Sequence, residues 1–169
     1  MSGFLDEVEA CIPALRRYAR ALAHQRDAAD DLVQDCLEQA VRKRSLFRPV
    51  GPVRPWLFRI LLNLYRNEQR RLRRQGVHLP IDAEDSGHVT VPDGQQARLE
   101  LAGVAQALQR LPAEQREALM LVALEGMSYE EAAQILDIPM GTVMSRIARA
   151  RQALRQATGS APVELRRVK

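Results

Sequence analysis

A chain of 169 residues with 46% hydrophobic but only 4% aromatic content suits one or two small domains with cores of Leu, Ala and Val on helices, and argues against sheet sandwiches. The net charge of +4 hides two basic blocks: residues 42–74 hold eleven Lys and Arg against one Glu, and residues 139–169 hold seven against one, while the other segments are acidic. A polyanion can meet such a chain at two places, with acidic faces left for a basic protein partner. No apolar run is long enough to span a bilayer and no signal-type leader is visible, so a cytoplasmic protein without membrane contact is expected.

In the first segment Leu5, Val8, Ile12, Leu15, Tyr18 and Leu22 recur at spacings of three and four, the pattern of an amphipathic helix. Pro13 interrupts it and marks a candidate helix start, since proline is welcome in a first turn. HQRD then predicts a turn, with Asp27 capping a second helix and Asp30 and Asp31 in its first turn. Ala29, Leu32, Val33, Cys36, Leu37, Ala40 and Val41 form its buried stripe. The opposite side, Asp31, Gln34, Asp35 and Glu38, is an acidic face whose plainest reading is solvation. Cys11 and Cys36 fall on apolar positions, where a thiol acts as a small hydrophobe, and His24, His78 and His88 are scattered. No metal site and no cofactor is expected.

Ser45 to Arg54, SLFRPVGPVR, predicts an ordered loop, after which Pro55 opens a helix through Gln75. Trp56, Leu57, Ile60, Leu61 and Leu64 make its apolar face, while Arg59, Asn63, Arg66, Asn67 and Arg70 face outward and RRLRR ends it. A basic amphipathic helix fits a nucleic-acid groove, an anionic membrane or a calmodulin-like receptor. The asparagines and the preceding loop favour nucleic acid, because Phe47, Arg48 and Arg54 can stack on an unpaired base and hold its phosphates. Trp56 fits either a core anchor or a wedge against a melted duplex.

Residues 76–97 lose helical periodicity and gather Gly, Pro, Asp and Ser, predicting a flexible linker. Helical pattern returns from Arg98 to Leu111 through Leu99, Leu101, Val104 and Leu108. Pro112 then opens a helix closed by Gly126. Ser128 and Glu131 form a capping box that starts a short helix bearing Ala132, Ala133, Ile135 and Leu136. Asp137-Ile138-Pro139 breaks it, since Asp tolerates a left-handed backbone and Pro139 lacks an amide. In the helix that follows, Val143, Ile147, Ala150 and Leu154 share the inward face. Thr142, Ser145, Arg146 and Arg149 form a polar stripe near its start, where a helix-turn-helix places the side chains that reach base edges and phosphates. A solvated basic face would usually mix in Glu, and Gly141 to Leu154 contains no acid.

Four stretches, DAADDLVQDCLEQAVRK, PWLFRILLNLYRNEQRR, LPAEQREALMLVALEGMSYEEAAQIL and IPMGTVMSRIARARQALR, occur in the order found in the smallest sigma-70-type proteins. The chain resembles an extracytoplasmic-function sigma factor, which keeps only the second and fourth sigma domains. The resemblance implies an all-α fold of two small helical domains joined by a flexible linker: 1–75 as region 2, 76–97 as linker, 98–158 as region 4 with the helix-turn-helix, and 159–169 as tail.

It further implies that Asp30, Asp31, Gln34 and Asp35 dock on core RNA polymerase. Phe47, Arg48, Arg54, Trp56, Arg59, Asn63, Arg66 and Arg70 would recognise and melt the minus-ten element of promoter DNA. Thr142, Ser145, Arg146 and Arg149 would read the minus-thirty-five element. An anti-sigma factor is an implied partner, and no catalytic chemistry is expected. Asn67 stands where the family often has Asp, and Asp137 where it often has Gly.

Two other classes fit less well. A response-regulator-type helix-turn-helix protein would need a parallel sheet with a phosphoacceptor Asp, and no β-rich segment precedes residue 98. A recombinase would need a nucleophile beside a base, and neither Ser128, Ser145 nor Tyr129 has such a neighbour in the pattern.

Overall fold

The computed structural model describes residues 3–23, 25–46, 51–76 and 95–159. The described residues are helical, with no strand among them. They fall into two compact units, one holding the helices up to residue 76 and the other most of the helical chain from residue 95 on. Most of the expected linker and tail lies outside the described residues, but 95–97, expected as linker, are already helical, so the helix expected from Arg98 starts at Gln95.

The first unit holds α1 (Phe4–Leu22), α2 (Arg26–Arg42), a short 3-10 turn at Arg44–Leu46, and α3 (Val53–Arg74), each long helix packing on the other two. Leu15, Tyr18, Phe58, Leu57 and Leu61 are fully buried where the three meet. Each such burial contributes about 1.5–3 kcal/mol of transfer free energy. The Tyr18 and Phe58 rings lie 5.3 Å apart, centroid to centroid, in a tilted pair. Tyr65 at the far end donates its hydroxyl to the Leu22 carbonyl at 3.1 Å, which satisfies one of the orphan acceptors at the end of α1.

Three local expectations are corrected. Helix α1 starts at Phe4, with Asp6 accepting from the Gly3 amide at 2.8 Å, and runs through Pro13 instead of beginning there. Pro13 and Glu9 are both on the exposed side of α1, where the helix can bend toward water at the hydrogen bond that proline cannot make. Gln25, not Asp27, is the N-cap of α2; Asp27 sits in its first turn, and Asp30 and Asp31 lie just beyond. Helix α3 begins at Val53, two residues before Pro55, because Pro52 already supplies the extended cap residue. The buried stripe of α2 is also narrower than its apolar residues suggest: Val41 is 45% exposed.

Cys36 is fully buried in this unit, and Cys11 is half-buried; neither is in a disulfide. Burial pushes the Cys36 thiol up to about 12, so it stays protonated and unreactive at neutral pH.

The second unit holds α4 (Gln95–Arg110), α5 (Ala113–Ala123), α6 (Tyr129–Leu136) and α7 (Met140–Thr158), with α7 packed on both α4 and α5. Leu111 and Ala107 are buried, whereas Leu101 and Val104 are exposed even though they keep the helical period. Buried Arg116 of α5 donates from Nη1 to the Gln109 carbonyl at 3.2 Å, placing a cation at the negative end of α4. Gly126, at φ 66°, lets the chain reverse after α5 so that the Met127 amide reaches the Leu121 carbonyl at 3.0 Å.

Candidate functional site

The capping box that starts α6 is formed in both directions. The Ser128 amide donates to Glu131 Oε2 at 2.8 Å, and the Glu131 amide donates to Ser128 Oγ at 3.1 Å. At the other end Asp137 is the one non-glycine residue at positive φ among the described residues, at 56°. The Ile138 amide bonds the Ala133 carbonyl at 3.1 Å, the closure of a Schellman motif with Asp137 as its left-handed residue. Pro139 then caps α7, its carbonyl accepting from the Thr142 and Val143 amides. The angle between the two helices is thus set by backbone bonds, with Val143, Ile147 and Ala150 buried behind α7.

The polar stripe expected on α7 divides in the structure. Ser145 and Arg149 are exposed, but Thr142 and Arg146 are half-buried at its edge. Arg146 Nη2 forms an ion pair with Glu114 Oε2 of α5 at 3.1 Å, leaving only 18% of the arginine side chain exposed. The surface opposite the buried side is Gly141, Met144, Ser145, Ala148, Arg149 and Gln152, at i, i+3, i+4, i+7, i+8 and i+11. Gly141, Met144 and Ala148 have no polar side chain, and Gln152 lies one turn beyond the stripe, so the polar pattern does not point to them. Their signal was in the sequence: they lie across the helix from Val143, Ile147 and Ala150. No acidic residue occurs anywhere in α7.

In the first unit Asp30, Asp31, Gln34 and Asp35 are all exposed along α2. Asp30 comes within 3.9 Å of Arg20, an ion pair too exposed to hold the carboxylate firmly. On α3, Arg59, Asn63 and Arg70 are exposed and Arg66 is half-buried. Arg54 lies in the first turn of α3, its guanidinium 5.5 Å from the Phe58 ring centroid. Trp56 is half-buried and meets Phe4 edge to face at 6.0 Å, so part of its ring serves packing. Phe47 and Arg48 lie outside the described residues.

Near the end of α3, Arg71 makes two bonds to Glu68, at 2.6 and 2.9 Å. The hydrogen bond from Arg71 holds the Glu68 carboxyl below its ordinary range. Exposed Arg70, Arg73 and Arg74 leave the helix end strongly cationic around this pair. None of the described helices is long and apolar enough to cross a membrane.

Comparison with known proteins adds the context. Residues 8–62 match the family described as the Sigma2 domain of PhyR, and residues 101–154 match sigma-70, region 4. The chain is 42% identical to the ECF RNA polymerase sigma factor EcfG of Rhodopseudomonas palustris, over 88% of its own length and 81% of the relative's. It is 38% identical to the ECF RNA polymerase sigma factor SigM of Mycobacterium tuberculosis, over 86% and 71% of the two chains. Its structure is similar to the sigma factor RpoE solved in complex with the anti-sigma factor NepR from Bartonella quintana, with a TM-score of 0.75 and 35% identity over 94% of this chain and 98% of that one. A second likeness is to CnrH in complex with the cytosolic domain of CnrY, with a TM-score of 0.65 and 35% identity over 88% and 82%.

Proposed function

This chain belongs to the extracytoplasmic-function sigma factors of the sigma-70 family, and from that premise we propose how its residues direct core RNA polymerase to promoters and help to open them. Residues 1–75 act as region 2 and α4 to α7 as region 4, with residues 76–94 between them as a linker. The exposed acidic face of α2, Asp30, Asp31, Gln34 and Asp35, docks on the polymerase. Arg59, Asn63, Arg66 and Arg70 of α3 track the minus-ten element, joined by Arg54 and Trp56 in its first turn and by Phe47 and Arg48, which precede it in the sequence. Exposed residues of α7 enter the major groove of the minus-thirty-five element.

The observation that carries this reading is the α7 surface, an acid-free helix face held out by a capped turn and backed by a buried Val143-Ile147-Ala150 stripe. Cationic residues supply phosphate contacts and register, and side chains at base edges supply preference. The protein lends no bond-making chemistry of its own. Docking on polymerase and gripping two DNA elements offsets the unstacking of promoter bases, which costs on the order of a few kcal/mol for each base extruded. Acting with polymerase places its work in the cytoplasm.

The solved relative RpoE is bound to the anti-sigma factor NepR, which supports the same mode of control here. An anti-sigma factor would hold the chain away from polymerase until released.

The test is transcription in vitro with purified core polymerase on a randomised promoter library. The chain should associate with core and start transcripts from a recoverable pair of elements. Replacing Asp31 and Asp35 by Arg should abolish association with core while the helical spectrum is unchanged. Failure of the unaltered chain to bind core, or transcription from no template, sinks the proposal.

A further inference from the structure

Met144 is 49% exposed and Met140 45% exposed, both on the outward side of the first turns of α7. A helix surface meant only for solvent gains nothing from two large apolar side chains, and neither is needed by the core, which Val143 and Ile147 fill. Around them the surface suits a polyanion: Ser145 and Arg149 are exposed on the same outward half of the helix, and α7 contains no acid. The residue that would otherwise bring charge into this end of the helix, Arg146, is held aside by Glu114 at 3.1 Å.

The major groove offers one apolar feature to such a side chain, the 5-methyl group of thymine. We propose that Met144 is a specificity-determining residue of the upstream promoter contact, its thioether chain packing on a thymine methyl in the major groove. A methionine suits this task because its unbranched, polarizable chain adapts to a small apolar target. Gly141 and Ala148 on either side of it project almost nothing, so the helix can come close enough for the contact. This inference rests on the reading of α7 as the upstream-element helix.

The experiment uses the chain bound to core polymerase and the upstream element it selects from the randomised library, made as duplex probes with each thymine replaced in turn by uracil. The replacement removes one methyl group and leaves every hydrogen-bonding atom in place. At one position affinity should fall about fourfold, the worth of one buried methyl group, and Met144→Ala should lose that sensitivity. Met144 is exposed, so the variant keeps its fold, and an unchanged melting temperature checks this.

Selection of an element whose thymines all tolerate uracil overturns the proposal, as does a methyl dependence that survives undiminished in Met144→Ala. Either of these results leaves the sigma-factor reading standing. Selection of no element at all removes both, and apolar binding of Met144 to a protein surface would show as insensitivity to every uracil.

Discussion

Arg146 Nη2 lies 3.1 Å from Glu114 Oε2, which turns the central guanidinium of the basic helix toward α5 and away from its outward face. Because Glu114 is 70% exposed, the pair itself contributes at most about 1 kcal/mol to stability. Its larger effect is on which residues face outward. Arg146→Ala should therefore weaken binding to every single-base variant of the upstream element alike. Arg149→Ala should lose about 1–3 kcal/mol and relax preference at one base pair. Competition titrations over the set of single-base variants check both, and relaxed preference at one position in Arg146→Ala would contradict the first.

Gly141 sits in the first turn of α7 with ordinary helical φ, and a Cβ placed on it would meet nothing within 4 Å. Gly141→Ala should stabilise the fold by about 0.4–1 kcal/mol, because the unfolded chain loses freedom and the helix gains propensity. The same variant should bind promoter DNA more weakly, since the added methyl lies on the outward face. Thermal unfolding and DNA titration on one preparation measure the two effects, whose opposite signs separate them from simple damage to the fold.

At the end of α3 the arginines are not equivalent, since Arg71 is already shared with Glu68 while Arg73 and Arg74 are exposed. Arg73→Ala should weaken binding to all sequences equally and lower the slope of log affinity against log salt by about 1. Arg71→Ala should change that slope less, and Glu68→Gln should strengthen binding slightly. Salt titrations of the polymerase-bound chain on one promoter probe give the three slopes.

The Cys36 thiol is raised from its ordinary value near 9 to about 12 by burial. The neutral thiol is the form that the folded state favours, so this contribution to stability is whole below pH 9 and is lost as pH rises through the folded value. Chemical unfolding of the native chain should show a steeper decline in stability over that alkaline window than Cys36→Ala does. At neutral pH a thiol reagent should modify half-buried Cys11 first and reach Cys36 only on unfolding.

Much of this was legible in the sequence because local chemistry decided it. The Ser128 and Glu131 capping box, the left-handed Asp137 and the Pro139 start of α7 are all fixed by neighbours within a few residues, and each forms as its residue types dictate. The inward stripe of α7 follows from the helical period. What period and polarity could not give was the partner of each side chain. Arg146 reads as a surface arginine until α5 brings Glu114 to it, 32 positions earlier in the chain. Val41 reads as core by period, yet nearly half of its surface stays exposed. Pro13 reads as a helix start because its cost depends on whether water reaches Glu9, and exposure is decided by the packing of α1 on α2 and α3.

The turn closed by Asp137 separates two jobs that a recognition module has to do at once. Its angle depends on main-chain contacts and one backward-tolerant residue, none of which lies on the outward surface of the helix it launches. Amino acids on that surface are thereby left free to vary. A descendant could acquire a new target by exchanging a handful of outward side chains, with the supporting frame inherited unaltered.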